Sequence, residues 1–217
     1  EGSDRSIFIT GRAGTGKSTL LNYFRHTTQK KVAVLAPTGV AALNVKGQTI
    51  HSFFRFKPGI TPDRVKRPRS DNKESIYRKL DIIVIDEISM VRADLLDCVD
   101  RFLRLNGPEA DKPFGGIQMS FIGDLYQLPA VVTGGEKEVF QSLYETPYFY
   151  GARVFDSLKM EFVELEKIYR QSDEEFISLL NAIRNNSITT EGLDILHERF
   201  QPQFEPPPDD FFVYLTT

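Results

Sequence analysis

The sequence predicts an α/β fold, a parallel β-sheet flanked by helices on both faces. Three observations carry this. Short β-rich runs alternate with segments of helical period along the chain. The runs are near-continuously apolar, as strands covered on both faces must be. The first run leads directly into a glycine-rich loop and then a helix, the opening unit of many such sheets.

Taken in order, the expected strands are SIFIT (6–10), KVAVLA (31–36), DIIVID (81–86), QMSFIG (118–123) and EFVELE (161–166). Lys17 to Thr27 carries Leu20, Leu21 and Phe24 on one helical face, and Ala93 to Arg104 carries Leu95, Leu96, Val99, Phe102 and Leu103. Glu174 to Asn185 does the same with Phe176, Ile177, Leu180 and Ile183. Asp71 with Glu74, and Ser172 with Glu175, have the spacing of capping boxes. Two stretches read as lying outside the core. KPGITPDRVKRPRS (57–70) holds three prolines and the basic residues Arg64, Lys66, Arg67 and Arg69. QPQFEPPPDD (201–210) reads as a proline-rich linker, and FFVYLTT (211–217) as the start of a second, truncated domain after a first domain spanning 1–200.

Composition narrows the function classes. The one cysteine, Cys98, rules out an internal disulfide or a multi-thiolate zinc site, and His26, His51 and His197 lie too far apart for ligand spacing. A lone thiol suits a reducing compartment, cytoplasmic or, in a eukaryote, nuclear or mitochondrial. No 18-residue apolar run and no signal peptide are present. With a net charge of −3, any nucleic-acid contact must use local positive surface or backbone groups.

The chemistry starts at GRAGTGKST. It fits G-x-x-x-x-G-K-[ST] with Gly11, Gly16, Lys17 and Ser18 in the fixed places. Gly11, Ala13, Gly14, Thr15 and Gly16 curl the backbone so that its N–H groups face phosphate oxygens. Lys17 reaches the β- and γ-phosphates, and Ser18 and Thr19 open the helix, the Ser18 hydroxyl serving Mg²⁺. The partner acids are Asp86 and Glu87 at the end of DIIVID, Asp86 for Mg²⁺ and Glu87 for the attacking water. Asp-Glu-Ile-Ser stands where a switch GTPase has Asp-x-x-Gly, and no Asn-Lys-x-Asp follows, so ATP is the expected nucleotide. In SFIGDLYQLPAV (120–131) a core strand breaks at Gly123-Asp124, and Gln127 follows three residues on. If that strand neighbours the Asp86 strand, the Gln127 amide reaches the γ-phosphate and water together. From spacing alone, a surface glutamine is an equal alternative.

Taken together, GRAGTGKST, APTGVAALNVKGQTIHSFF, DIIVIDEISMV, FIGDLYQLPAV and IYRQ resemble, in this order, the Pif-type and RecD-like DNA helicases of superfamily one. The resemblance covers residues 6–171 and is far more specific than the phosphate loop alone. It implies the first of two RecA-like motor domains, coupling ATP hydrolysis to 5′-to-3′ movement on single-stranded DNA and unwinding at duplex junctions. Lys17, Asp86, Glu87, Gln127 and Arg170 would then be catalytic, with Ser18 and Asp86 on the metal. Arg170 would stabilise the transferring group; without the family, an ion pair with Asp173 or Glu174 is the simpler reading. Thr38, Gly39, Thr49, His51, Ser52 and Phe53 would touch DNA. Small residues at Gly39, Ala41 and Ala42 would let a backbone approach, although of Phe53, Phe54 and Phe56 at least two are expected in the core. The basic cluster 64–69 would track a strand or form a solvated loop, the loop being the preferred reading, and Tyr148 and Tyr150 are further exposed-aromatic candidates.

The sequence departs from the pattern in three places. Ala130 replaces the second proline after Gln-Leu, no adenine-reading glutamine precedes Gly11, and the second domain's motifs are missing. Two rival readings are a non-translocating AAA-type ATPase acting as a regulatory or loading module, and a nucleic-acid-binding module with a vestigial ATP site.

Overall fold

A computed structural model describes residues 5–67, 76–169, 173–198 and 200–205. The chain divides into two compact units, residues 1–170 and 171–217. The first holds a six-stranded sheet: β1 (Ser6–Gly11), β2 (Val32–Ala36), β3 (Gln48–Thr49), β4 (Ile82–Ile85), β5 (Gln118–Gly123) and β6 (Met160–Leu165). The order is β3-β2-β4-β5-β1-β6, and every pairing is parallel. Its helices are α1 (Lys17–Thr27), α2 (Gly39–Asn44), α3 (Ile50–Phe54), α4 (Ala93–Asn106) and α5 (Lys137–Leu143).

The apolar strand runs are explained by two cores, one on each face. Alternate residues divide between them: Ile83 and Ile85 of β4 join Leu35, Met119 and Phe121 beneath α4, while Ile82 and Val84 join Val34, Ile122 and Leu21 of α1. β4 is buried at every residue because it is central. The expectation of a covered strand at 161–166 fails for a positional reason. β6 is the sheet's edge, and Phe162 is 63% exposed. Its glutamates, Glu161 and Glu164, are the charges that keep an open edge from pairing further.

One other expectation changes. The proline-rich excursion is not wholly outside the core, since Val65 is buried and Ile60 packs against the same cluster. A 3₁₀ turn at Pro62–Arg64 folds it back. Ala41 and Ala42 are buried and pack on Ala36 of β2. The aromatic expectation holds in part: Phe54 is buried beside Tyr77 and Phe102, and Phe53 and Phe56 are half-buried against the same cluster.

In the second unit, α6 (Glu174–Arg184) is capped by Asp173, which accepts from Phe176 N at 3.0 Å. Thr189 caps α7 (Thr190–His197). The Asp71–Glu74 box, Ser172, Arg69, Arg170 and the 211–217 run lie outside the described residues. Among the described residues no helix is long and apolar enough to cross a membrane.

Candidate nucleotide and nucleic-acid site

Parallel strands bring their carboxyl ends to one edge, so the loops after β1, β4 and β5 converge there. A cavity of about 420 Å³ lies among them, lined by Ala13, Gly14, Gly16, Lys17, Ser18, Thr19, Glu87, Gln127 and Tyr169. Residues from four separate places in the sequence thus share one pocket.

The phosphate loop is a backbone device. Gly14 and Gly16 have φ of 80° and 91°, the left-handed region that glycine adopts at least cost. At Gly11 a Cβ would lie 2.6 Å from Leu165 O and 2.7 Å from Thr15 Oγ1. Thr15 is buried and its hydroxyl donates to Arg12 O at 2.8 Å, so it braces the loop from inside. The Lys17 ammonium donates to Gly11 O at 2.5 Å and Arg12 O at 3.1 Å, which lays it along the loop.

Asp86 follows β4 and is 7% exposed. Burial pushes its carboxyl up to about 6; the Glu87 charge adds to this, while the Glu87 backbone N–H and Lys17 oppose it. Its negative charge is therefore only partly compensated by protein groups, which fits a divalent cation. Among the described residues no cluster of three His, Cys, Asp or Glu could hold a metal. Mg²⁺ keeps water and phosphate oxygens and needs only one or two protein ligands, and Asp86 and Ser18 are residues that could supply them. Glu87 has φ 52° and ψ 43°, left-handed geometry in a residue with a side chain. Such strain costs about 1–3 kcal/mol and aims the carboxylate into the pocket.

The Gly123-Asp124 break now has a cause. A Cβ on Gly123 would lie 2.9 Å from Ile88 Cγ2 and 3.1 Å from Ile88 N, so only glycine lets the turn after Glu87 rest on β5. Asp124 is 1% exposed. Its carboxylate accepts Tyr126 N at 3.1 Å and Gln127 Nε2 at 3.1 Å. A carboxylate only accepts, so the amide nitrogen must face Asp124. Gln127 Oε1 is thereby left to accept, and one N–H remains to donate. The sequence reading missed Asp124 as the group that sets this polarity, although it had singled out the Gly-Asp pair. It also missed Tyr169, whose N–H donates to Gly14 O at 2.8 Å and whose ring is 68% exposed. Its place beside Arg170 was the available signal.

Downstream, the two branches meet. Arg92, five residues past Glu87, forks onto Asp94 at 3.0 and 2.7 Å and reaches Glu136 at 3.1 Å. Buried Asp97 of α4 accepts from Tyr144 Oη at 2.9 Å and from the N–H groups of Arg153 and Val154, each at 3.2 Å.

The stretch 38–53 sits at the carboxyl ends of β2 and β3. Thr38 and Thr49 are N-caps, accepting from Ala41 N at 3.2 Å and Ser52 N at 3.1 Å. Each hydroxyl keeps its proton to donate. Ser52 and Gly39 are exposed, and a Cβ at Gly39 would meet nothing within 4 Å. Burial pushes the His51 imidazole below its usual value, which favours its neutral form. Phe53 is half-buried, its ring edge-on to Phe54 and Tyr77. Tyr148 and Tyr150 stack on each other at 5.4 Å.

Sheet order, phosphate loop and strand-end acids together define a RecA-like P-loop nucleotide-binding domain. A family model described as PIF1-like helicase matches residues 1–193, and the chain belongs to that family. It is 34% identical over 211 residues to the ATP-dependent DNA helicase PIF1 of Emericella nidulans, covering 91% of this chain and 27% of that protein. The human ATP-dependent DNA helicase PIF1 is 37% identical over 183 residues, covering 83% and 27%. A Bacteroides Pif1 helicase crystallised with ADP-AlF3 and single-stranded DNA superposes with a TM-score of 0.88 at 43% identity, covering 96% of this chain and 49% of that one. A structure of two coordinating Pif1 helicases at forked duplex DNA gives a TM-score of 0.86 at 45% identity, covering 90% and 48%. The chain thus spans about a quarter of these curated relatives and about half of these solved chains.

Proposed function

We propose that this chain is the ATP-hydrolysing first motor domain of a DNA helicase that moves 5′-to-3′ on single-stranded DNA. The observation that carries this is the shared pocket of the phosphate loop, Glu87 and Gln127. A nucleotide-binding module needs only the loop. A hydrolase needs a base for water, and a motor needs a group that responds when the γ-phosphate leaves.

In this reading the N–H groups of the loop and the Lys17 ammonium hold the phosphates. Ser18 and Asp86 would hold Mg²⁺, which would supply charge neutralisation at the phosphates. Glu87 accepts a proton from the attacking water. Gln127 accepts a second water hydrogen bond at Oε1 and donates its remaining N–H to the γ-phosphate, with Asp124 fixing which end is which. Loss of the γ-phosphate removes one partner of that amide. The exposed ring of Tyr169 offers a face for the base. Arg170 completes the site through the resemblance alone. Thr38, Gly39, Thr49, His51 and Ser52 hold DNA phosphates by hydroxyl, backbone and neutral-imidazole contacts, which suits an acidic protein and a sequence-independent track. Phe53, committed to ring packing, offers only an edge. The residues that carry this chemistry lie in the first compact unit, residues 1–170.

Steady-state ATP hydrolysis by the full-length natural protein, with and without single-stranded DNA and beside Glu87→Gln, tests the proposal. Strong DNA stimulation that disappears in Glu87→Gln supports it. Turnover indifferent to DNA favours the AAA-type reading and removes the DNA role of residues 38–53.

A further inference from the structure

Immediately after the 38–53 stretch the chain makes a second concave surface with a different chemistry. A cavity of about 400 Å³ is lined by Arg55, Lys57, Arg64 and Lys66 around a floor that includes Phe54, Phe56 and Phe102. Among the described residues no carboxylate lines it. Asp63, the acid nearest in sequence, lines the neighbouring groove with Asp94 and Glu136. Among the described residues, none of the four cations forms an ion pair. In a chain of net charge −3, four cations lining one cavity are a local reversal of sign, although the Asp63 carboxylate of the adjoining groove acts on Arg64.

The backbone adds an independent observation. Arg55 ends α3 with φ 56° and ψ 36°, a left-handed cap. Glycine is the usual residue there, because a side chain is strained in that conformation. The turn is otherwise ordinary: Phe56 N donates to His51 O at 2.9 Å.

We propose that Arg55, Lys57, Arg64 and Lys66 form a phosphate-backbone site for single-stranded DNA, extending the contact surface of Thr49, His51 and Ser52 beyond the end of α3. This rests on the reading of residues 38–53 as a DNA contact, which supplies the continuity. Polar neutral groups hold the strand in the first segment, and cations hold it in the second. Cations beside aromatic rings suit a single strand.

The test is anisotropy of a labelled oligothymidine with the full-length protein across a salt series. The variants are Lys57→Ala/Arg64→Ala/Lys66→Ala, Arg55→Gly and His51→Ala/Ser52→Ala. Each lost phosphate contact lowers the log–log salt slope by about 0.7 on a single strand. The triple variant is expected to lower it by about 2 and to weaken binding about tenfold or more at low salt. Arg55→Gly is expected to lower the slope while leaving Tm unchanged or higher, a pair of signs that mere loss of structure does not give. Unchanged slopes in both cation variants overturn the proposal. If the cation variants are silent while His51→Ala/Ser52→Ala weakens binding, only this inference fails. If all three are silent, the DNA reading of residues 38–53 fails with it.

Discussion

The carboxyl ends of β4 and β5 and the carboxyl ends of β2 and β3 lie on the same edge of one sheet, yet they are built differently. The first carries signs of a site maintained at a cost to the fold: Glu87 in left-handed geometry, buried Asp86 with its carboxyl pushed up to about 6, and buried Asp124 turned toward an amide. The second is conventional, with Thr38 and Thr49 capping short helices and Ala41 and Ala42 filling a close contact. Chemistry on a phosphate requires a few atoms at fixed positions. A contact with a repeating backbone requires exposed donors, and ordinary helix starts provide them.

Replacing Glu87 breaks this comparison most severely. Glu87→Gln is expected to lower DNA-stimulated turnover by about 10²–10⁴-fold with nucleotide affinity retained, read from kcat against a direct nucleotide Kd. Asp124→Asn comes next. Its amide cannot accept from both Tyr126 N and Gln127 Nε2 with the original polarity, so Gln127 turns over or detaches. We expect a kcat loss of about 10²-fold at little change in nucleotide Kd. Equal losses in kcat and in thermal stability would assign Asp124 a purely structural part.

The third change concerns protons. The Asp86 carboxyl lies at about 6 in the fold, against an ordinary value of 3.8. A raised acid favours the folded state fully below 3.8, and that contribution is lost as pH rises through about 6. Asp86→Asn should therefore be more stable than wild type at pH 7–8, by at most ~3 kcal/mol, with the advantage shrinking toward pH 4. Thermal melts over that range check it. Mg²⁺-nucleotide binding by wild type should weaken as pH falls below about 6, because the cation then competes with a proton. The smallest change is on the conventional side. Thr38→Ala and Thr49→Ala should each cost about 1 kcal/mol of stability as lost caps. Each should also weaken DNA binding several-fold while leaving DNA-free turnover intact.

The same contrast explains what could be read from sequence. Gly11, Lys17, Asp86 and Glu87 were legible because phosphate chemistry admits few residue types at fixed spacing. Gln127 was ambiguous by itself, because only the β4–β5 pairing brings it beside Glu87, and pairing is a long-range fact. Asp124 was invisible as a partner until a distance existed. α2 and α3 went unread because helices of six and five residues show too little periodicity to stand out. β6 was misjudged because apolar content does not tell a central strand from an edge.

The central claim is that Gln127 links the state of the nucleotide to the hold on DNA. The direct measurement is single-stranded DNA affinity of the full-length protein in ADP and in ADP-aluminium fluoride, for wild type and Gln127→Ala. The account predicts roughly a tenfold difference between the two states in wild type, collapsing to near equality in Gln127→Ala while both nucleotides still bind. The same difference in both proteins would contradict it.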